Sequence, residues 1–420
     1  MALSKNWRRA ILLSALAATV VKIFLALRSS GSLDVFAFNE FLTNIREVGG
    51  IGTYYRRGLA GNPFTYLPFM IHAVRGMGFL ADATHLPFRF WLRFPSVLAD
   101  LGTLFLIWKM AERLPALKLA PVGLLLVAVY PGSILISGFH GNTDALMIFF
   151  LLLSVYLLAV KRLPWLAGAA FGMALNIKIV PLVFAPAIFL FLPDLRTRLK
   201  FFGAATAVVF VASLPYLLQD PLVIWKTVFG HRSLYGTWGW TWLVVNYLAN
   251  TPPPSNGYEE LTGVHRIVEV TGRYVMFACI TAASFWMNLR RHKPPLFLQC
   301  GFIAFMLLFM TTGFGIQYLA WLTPWIIVLG VWSAGLYYVV SACYITLSYS
   351  AMSAAVRRVL DLPPLWPGNV YFVAELACWL SVLVALVNCW RLLRNYENEA
   401  GSLADERGLS LPEETRAAAG

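Results

Sequence analysis

Asp34 stands a few positions beyond a largely apolar run, Ala10 to Leu27, in a chain dominated by such runs. A carboxylate in that place can take a proton from a hydroxyl arriving at the membrane surface. It can equally serve as structure, because Asp34 to Glu47 could begin a short helix with Asp as its N-cap. The other polar groups that need explaining fall on the same side of the membrane: Glu40, Arg46, Arg56, Arg57, Arg89, Arg93, His140, Asp144, Lys178, Lys226, His231, Arg232, Arg266, Arg273 and Gln317. A charge at a helix centre in a bilayer costs roughly 2.5–3.5 kcal/mol, so charges retained together at span ends on one side are informative as a set. One strong candidate acid, Asp34, among many cations suits an anionic group held by Arg, Lys and His while a carboxylate activates a hydroxyl. The clustered carboxylate and His ligands of a metal site are missing, and no metal is expected.

The elements that position these groups follow from composition. Apolar residues make up 59% of the 420 residues, mean hydropathy is +0.69, and the apolar runs recur near the ~20 residues needed to cross a bilayer. The sequence therefore predicts an all-α polytopic membrane protein of about twelve transmembrane helices with no room for a soluble catalytic domain. The spans are expected near 9–27, 89–110, 118–138, 143–160, 164–177, 180–193, 201–217, 270–289, 295–313, 317–332, 334–350 and 369–390. The net charge of +13 lies in short basic clusters between the runs, which argues for positive-inside topology rather than nucleic acid. With those clusters cytoplasmic, both termini are cytoplasmic. The Ala10–Leu27 run, whose only charge is Lys22, reads as a retained first span rather than a signal peptide.

Residues 1–394 form the membrane domain, with two large outer loops, 28–87 and 219–268, carrying juxtamembrane helices. Phe64–Leu80, interrupted by Pro68, His72 and Arg75, is expected at the outer interface rather than across the bilayer. The short fifth and sixth spans meet at Asn176–Pro181 as half-helices dipping to an outward vestibule, where Lys178 can snorkel or meet a phosphate. His140-Gly141-Asn142-Thr143-Asp144 opens the fourth span; Asn142 or Thr143 can cap it, and the same turn can present His140 and Asn142 to a sugar hydroxyl. Trp238, Trp240 and Trp242 suit an interfacial belt or carbohydrate stacking. The five Cys read as small core residues, and 395–420 as a disordered cytoplasmic tail.

In order along the chain, Leu33-Asp34-Val35-Phe36, Asn62-Pro63-Phe64-Thr65-Tyr66-Leu67-Pro68, Arg93-Phe94-Pro95-Ser96-Val97-Leu98-Ala99-Asp100, Gly141-Asn142-Thr143-Asp144-Ala145, Asn176-Ile177-Lys178 and Gln317-Tyr318-Leu319-Ala320-Trp321-Leu322-Thr323-Pro324 resemble the C-type glycosyltransferases that use polyprenyl-phosphate sugars. The resemblance spans roughly residues 10–330 and includes the catalytic subunits of GPI mannosyltransferases. It implies Asp34 as catalytic base and mannose as the sugar. Two departures stand out: many members place a second acid near the first, where this chain offers Glu40, and many have Trp-Gly-Gln where it has His140-Gly141-Asn142.

The expected activity is inverting transfer of one sugar from a polyprenyl-phosphate donor to a hydroxyl on a glycan, glycolipid or protein. Asp34 would be the base; Lys178, Arg232, Arg266, Arg273 and Arg93 would hold the donor phosphate; Glu40, His140, Asn142, Asp144, His231, Trp240 and Gln317 would contact sugar and acceptor. No nucleotide-binding loop and no cofactor are expected, membrane lipids surround the chain, and an accessory subunit is left open. The location is the bacterial inner membrane with the site facing the periplasm, or the ER membrane in a eukaryote. Rival readings are a lipid-linked-oligosaccharide flippase or transporter, an envelope polymerase or ligase using lipid-diphosphate donors, and a non-catalytic scaffold.

Overall fold

The computed structural model describes residues 4–56, 63–114, 117, 119–248, 261–352 and 368–406. Seven helices among them are long and apolar enough to cross a membrane, and five shorter apolar helical stretches lie between these. The twelve stretches coincide with the apolar runs read from the sequence, and the chain is an all-α polytopic membrane protein. A two-residue antiparallel pairing of β1 (Leu234–Tyr235) with β2 (Gly313–Phe314) joins the 219–268 segment to the end of a later span.

Helix α1 (Lys5–Arg28) is followed, after a four-residue connection, by α2 (Leu33–Val48), then α3 (Gly52–Tyr55) and α4 (Phe69–Thr84). Helix α4 is not among the helices long and apolar enough to span. Its buried face, Met70, Ile71, Val74 and Met77, packs with Phe38, Phe41 and Ile45 of α2, with Phe64 and Tyr54, and with Tyr216, Ile224 and Val228. These residues form a second core separate from the core of the bundle. The large rings here meet edge to face, as at Phe41–Phe64 and Tyr54–Phe64, with centroids 5.1 and 5.2 Å apart.

The bundle continues through α5 (Phe88–Arg113), α6 (Pro121–Val129), α7 (Pro131–Leu135), α8 (Asp144–Ala159), α9 (Pro164–Ile177), α10 (Ala185–Phe191) and α11 (Leu195–Leu217). As the sequence suggests, α9 stops at Ile177, Lys178 is extended, and a 3-10 turn, Val180–Phe184, leads into the short α10. The segment after α11 holds α12 (Pro221–Phe229) and α13 (Gly239–Leu243), and the last spans are α14 (Gly263–Asn288), α15 (Leu296–Met310), the stretch Ile316–Leu329 containing α16 (Thr323–Ile326), α17 (Val331–Met352) and α18 (Gly368–Glu406). Helix α18 runs well past Asn395, so the first part of the tail expected to be disordered is helical; the rest lies outside the described residues.

Two polar arrangements hold this architecture. Inside the bundle, buried Lys22 of α1 donates to Asp100 of α5 at 2.5 Å and to Ser133 of α7 at 2.8 Å, while Ser133 donates to Asp100 at 2.8 Å. At the end of α15, three indoles reach three successive carbonyls: Trp238 to Leu308 at 2.8 Å, Trp379 of α18 to Phe309 at 3.1 Å, and Trp240 to Met310 at 3.1 Å. These are among the carbonyls that a helix end leaves without intrahelical partners. The indole N–H groups of Trp238 and Trp240 are thus taken up by the end of α15. Trp238 is fully buried and stacked on Phe314 at 4.0 Å, and Trp242 stacks on Phe372 at 3.9 Å.

Candidate active site

Helix α2 begins at a Ser cap: Ser32 Oγ accepts the amide of Asp34 at 3.1 Å. The capping role considered for Asp34 is thus filled by Ser32, and the Asp34 carboxylate is released for other contacts. Asp34 lies in the first turn, in line with Phe38, Phe41 and Ile45 on the buried face, where the positive helix end favours an anion. Its side chain keeps 33% of its surface exposed.

A wide turn brings the partners of Asp34 to it. After α7 the chain makes a π turn, Ile136–His140, and then a left-handed residue, Gly141, with φ +86°. A Cβ at Gly141 would sit 2.3 Å from a Val35 methyl, so glycine meets both the backbone geometry and the close approach of α2. His140 Nε2 lies 3.0 Å from Asp34 Oδ2, and the Asn142 amide donates to the same oxygen. The turn is fixed around them: Ser32 Oγ donates to the His140 carbonyl at 2.8 Å, and Ser96 of α5 donates to the Asn142 carbonyl at 2.9 Å. The His140 ring stacks on Tyr349 of α17 at 5.3 Å. Burial pushes the Asp34 pKa up, but the charge and hydrogen bond of His140, the charge of Lys178 and the Asn142 amide outweigh it and hold the carboxyl below its ordinary value.

Beside this pair lies a second carboxylate. Asp144, fully buried in the first turn of α8, receives Lys178 Nζ at 2.8 and 2.7 Å and the Trp321 indole at 2.6 Å. Tyr318 stacks on Trp321 at 4.0 Å, lies 5.4 Å beneath Lys178 Nζ and bonds Ser233 through its hydroxyl. Two residues before Ser233, the His231 carbonyl accepts from Arg273 at 3.3 Å, and Arg273 pairs with Glu269 one turn earlier on α14. Burial, with the charges of Lys178 and Arg273, pushes the His231 imidazole down to about 4, so it is neutral at pH 7. Two cations, each backed by an acid, thus flank a neutral imidazole. Among the described residues, no three His, Cys, Asp or Glu side chains come together as a metal site.

Residues 136–251 match the family model described as Mannosyltransferase (PIG-M), which covers little more than a quarter of the chain. The chain is a mannosyltransferase-like membrane glycosyltransferase. The matched stretch of this glycosyltransferase contains the π turn, His140, Asn142, Asp144, Lys178 and the His231–Ser233 loop; Asp34 lies outside it and joins the group through space. No curated protein matches the chain.

Other residues singled out from the sequence fall elsewhere. Arg93 is placed at the end of α1: it is fully buried, and its Nη1 lies 3.1–3.3 Å from the carbonyls of Leu25, Ala26 and Ser29 and the Ser29 hydroxyl, while Arg89, one turn earlier, reaches Leu27 at 3.2 Å. Both cations cap the negative end of α1. Trp240, pegged to Met310, is occupied as structure. Glu40 is half-buried on α2, six residues beyond Asp34, hence ~9 Å along the helix and ~120° around it. Arg232 is half-buried in the loop after α12, Arg266 is exposed on the first turn of α14, and Gln317 is half-buried beside Gly315. The sequence reading passed over Ser32, Ser233, Glu269, Tyr318 and Trp321. For the last two the signal was present, since both lie in the Gln317–Pro324 motif from which Gln317 alone was taken.

Proposed function

We propose that the chain transfers one mannose from a polyprenyl-phosphate carrier to a hydroxyl acceptor, with inversion, on the outer or lumenal face. The observation that carries this is the partly exposed Asp34 carboxylate, held ionised at its Oδ2 by His140 and Asn142. Both contacts end on Oδ2, which leaves Oδ1 to receive the acceptor's proton. As that proton moves, the acceptor oxygen bonds to the anomeric carbon, and the bond from that carbon to the phosphate oxygen breaks. The electron pair leaves with the lipid phosphate. Lys178 and Arg273, with neutral His231 between them, are the groups suited to the charge that grows there.

Asp34→Asn tests the reading. The amide keeps the shape but cannot take the proton, and a general base contributes roughly 10²–10⁴-fold. Transfer from polyprenyl-phosphate mannose in membranes is expected to fall by that order while donor binding and expression persist. Near-normal turnover would remove Asp34 from the chemistry. Glu40→Gln is the control, and a larger loss there would move the base to Glu40.

A further inference from the structure

Helix α17 runs beside the segment that carries His140 and is tied to it at both ends. Tyr130, just before α7, shares a hydrogen bond with Ser341 at 2.7 Å, while Tyr337 and Tyr338 donate to the carbonyls of Leu319 and Thr323 at 2.5 and 2.9 Å. Ser341, Ile345 and Tyr349 share one buried face of α17, which places Tyr349 ~12 Å beyond Ser341 by the rise of a helix. There its ring meets two successive side chains of the π turn. Phe139 lies at 5.4 Å and His140 at 5.3 Å, the His140 ring only 18° from parallel. Tyr349 is fully buried, and its hydroxyl has no hydrogen-bond partner among the described residues. Its ring, rather than its hydroxyl, is the part in contact with the site.

A functional imidazole is ordinarily oriented by hydrogen bonds at both ring nitrogens. His140 has one of the two: Nε2 meets Asp34 Oδ2 at 3.0 Å, whereas Nδ1 is buried without a partner among the described residues. One bond alone leaves the ring able to swing about it. The near-parallel stack, at a separation within the about 4.5–7 Å of an aromatic pair, supplies the second constraint by holding the ring plane. The geometry points to Tyr349 as the residue that positions His140, its ring forming the seat that keeps Nε2 aimed at the Asp34 carboxylate. Tyr349 acts through His140 and is a positioning residue. The other charged and titratable groups around the pair are Lys178, Asp144 and Tyr318, so the seat governs one of several influences on Asp34. The consequence for transfer rests on Asp34 as the base proposed above; the seat itself does not.

The test uses solid-state NMR of the full-length protein in lipid bilayers, with the nitrogens of its six histidines isotopically labelled and the His140 signal identified by its loss in His140→Ala. Tyr349→Phe keeps the ring and should leave both that signal and the acid limb of kcat/KM in place. Tyr349→Leu and Tyr349→Met fill the space without a ring. They should shift and broaden the His140 signal while the other histidine signals stay, which shows the fold intact. In both, kcat/KM at acid pH should fall several-fold relative to neutral pH, as in His140→Ala, and combining either with His140→Ala should cause no further fall. An unchanged His140 signal in the Leu and Met variants would overturn the seat, and so would an equal disturbance by Tyr349→Phe, which would move the role to the hydroxyl. Loss of all the histidine signals in both variants would reduce Tyr349 to general packing and overturn it as well. A His140 signal that responds while the acid limb stays would uphold the seat and remove Asp34 as the base.

Discussion

Lys178 bonds both oxygens of Asp144, at 2.8 and 2.7 Å, and Asp144 has no surface exposed. The lysine expected from the sequence to serve a phosphate is thus already one half of a buried ion pair. Lys178→Ala would strand the carboxylate, and breaking such a pair costs about 3–5 kcal/mol. Thermal unfolding in detergent should show that loss, and Lys178→Met combined with Asp144→Asn should recover much of it. Transfer activity should stay low in the double variant if Lys178 also meets the donor. Full activity there would confine Lys178 to structure.

His140 is the foremost of the influences that hold the Asp34 carboxyl low against the opposing effect of burial. A carboxylate base works only when ionised, so the activity it supports is present above its pKa and is lost as pH falls through it. Removing His140 raises that pKa, so in His140→Ala the acid limb of kcat/KM should move to higher pH, with Asn142→Ala moving it the same way by less. A pH–rate profile of purified enzyme decides the matter. An acid limb that stays in place or moves down would show that His140 does not tune Asp34.

Trp238 contributes to stability through both packing and its indole N–H, and two substitutions separate these. Trp238→Ala empties a fully buried site and should cost about 3–5 kcal/mol, whereas Trp238→Phe keeps most of the stacking on Phe314 and loses mainly a hydrogen bond of about 1 kcal/mol. Unfolding temperatures of the two variants should fall in that order. If Trp238→Phe destabilises as much as alanine, the carbonyl of Leu308 depends on that one indole far more than a neutral bond implies.

Hydropathy is a local property, and the twelve apolar stretches were accordingly legible in the sequence. Asp34, His140 and Asn142 were legible for a related reason: each is a polar group beside an apolar run, where burial demands an explanation. Their mutual contact was not, because the sequence separation of 106 from Asp34 to His140 is closed only by packing of α1, α5 and the π turn. The same limit explains Arg93. Its type and side of the membrane suit a phosphate equally well, and only the folded chain brings the open end of α1 against it. The contacts of Trp238 and Trp240 were not legible, because alternating aromatics at a membrane edge look alike whether they face lipid, sugar or a helix end some 70 residues away.

The knot of Lys22, Asp100 and Ser133 lies about 9 Å inside the C-terminal end of α1, by the rise of a helix over six residues. Sliding or turning α1 would drag its ammonium away from the carboxylate and into hydrocarbon, so the first span is locked in register with α5 and α7. Only four residues separate that span from α2, and Arg89 and Arg93 grip the junction. Asp34 accordingly stands at a set height relative to the bundle, a fixed point on a ruler. With Asp34 as the proposed base, hydroxyls carried too deep or too far out would miss it, whatever their chemistry.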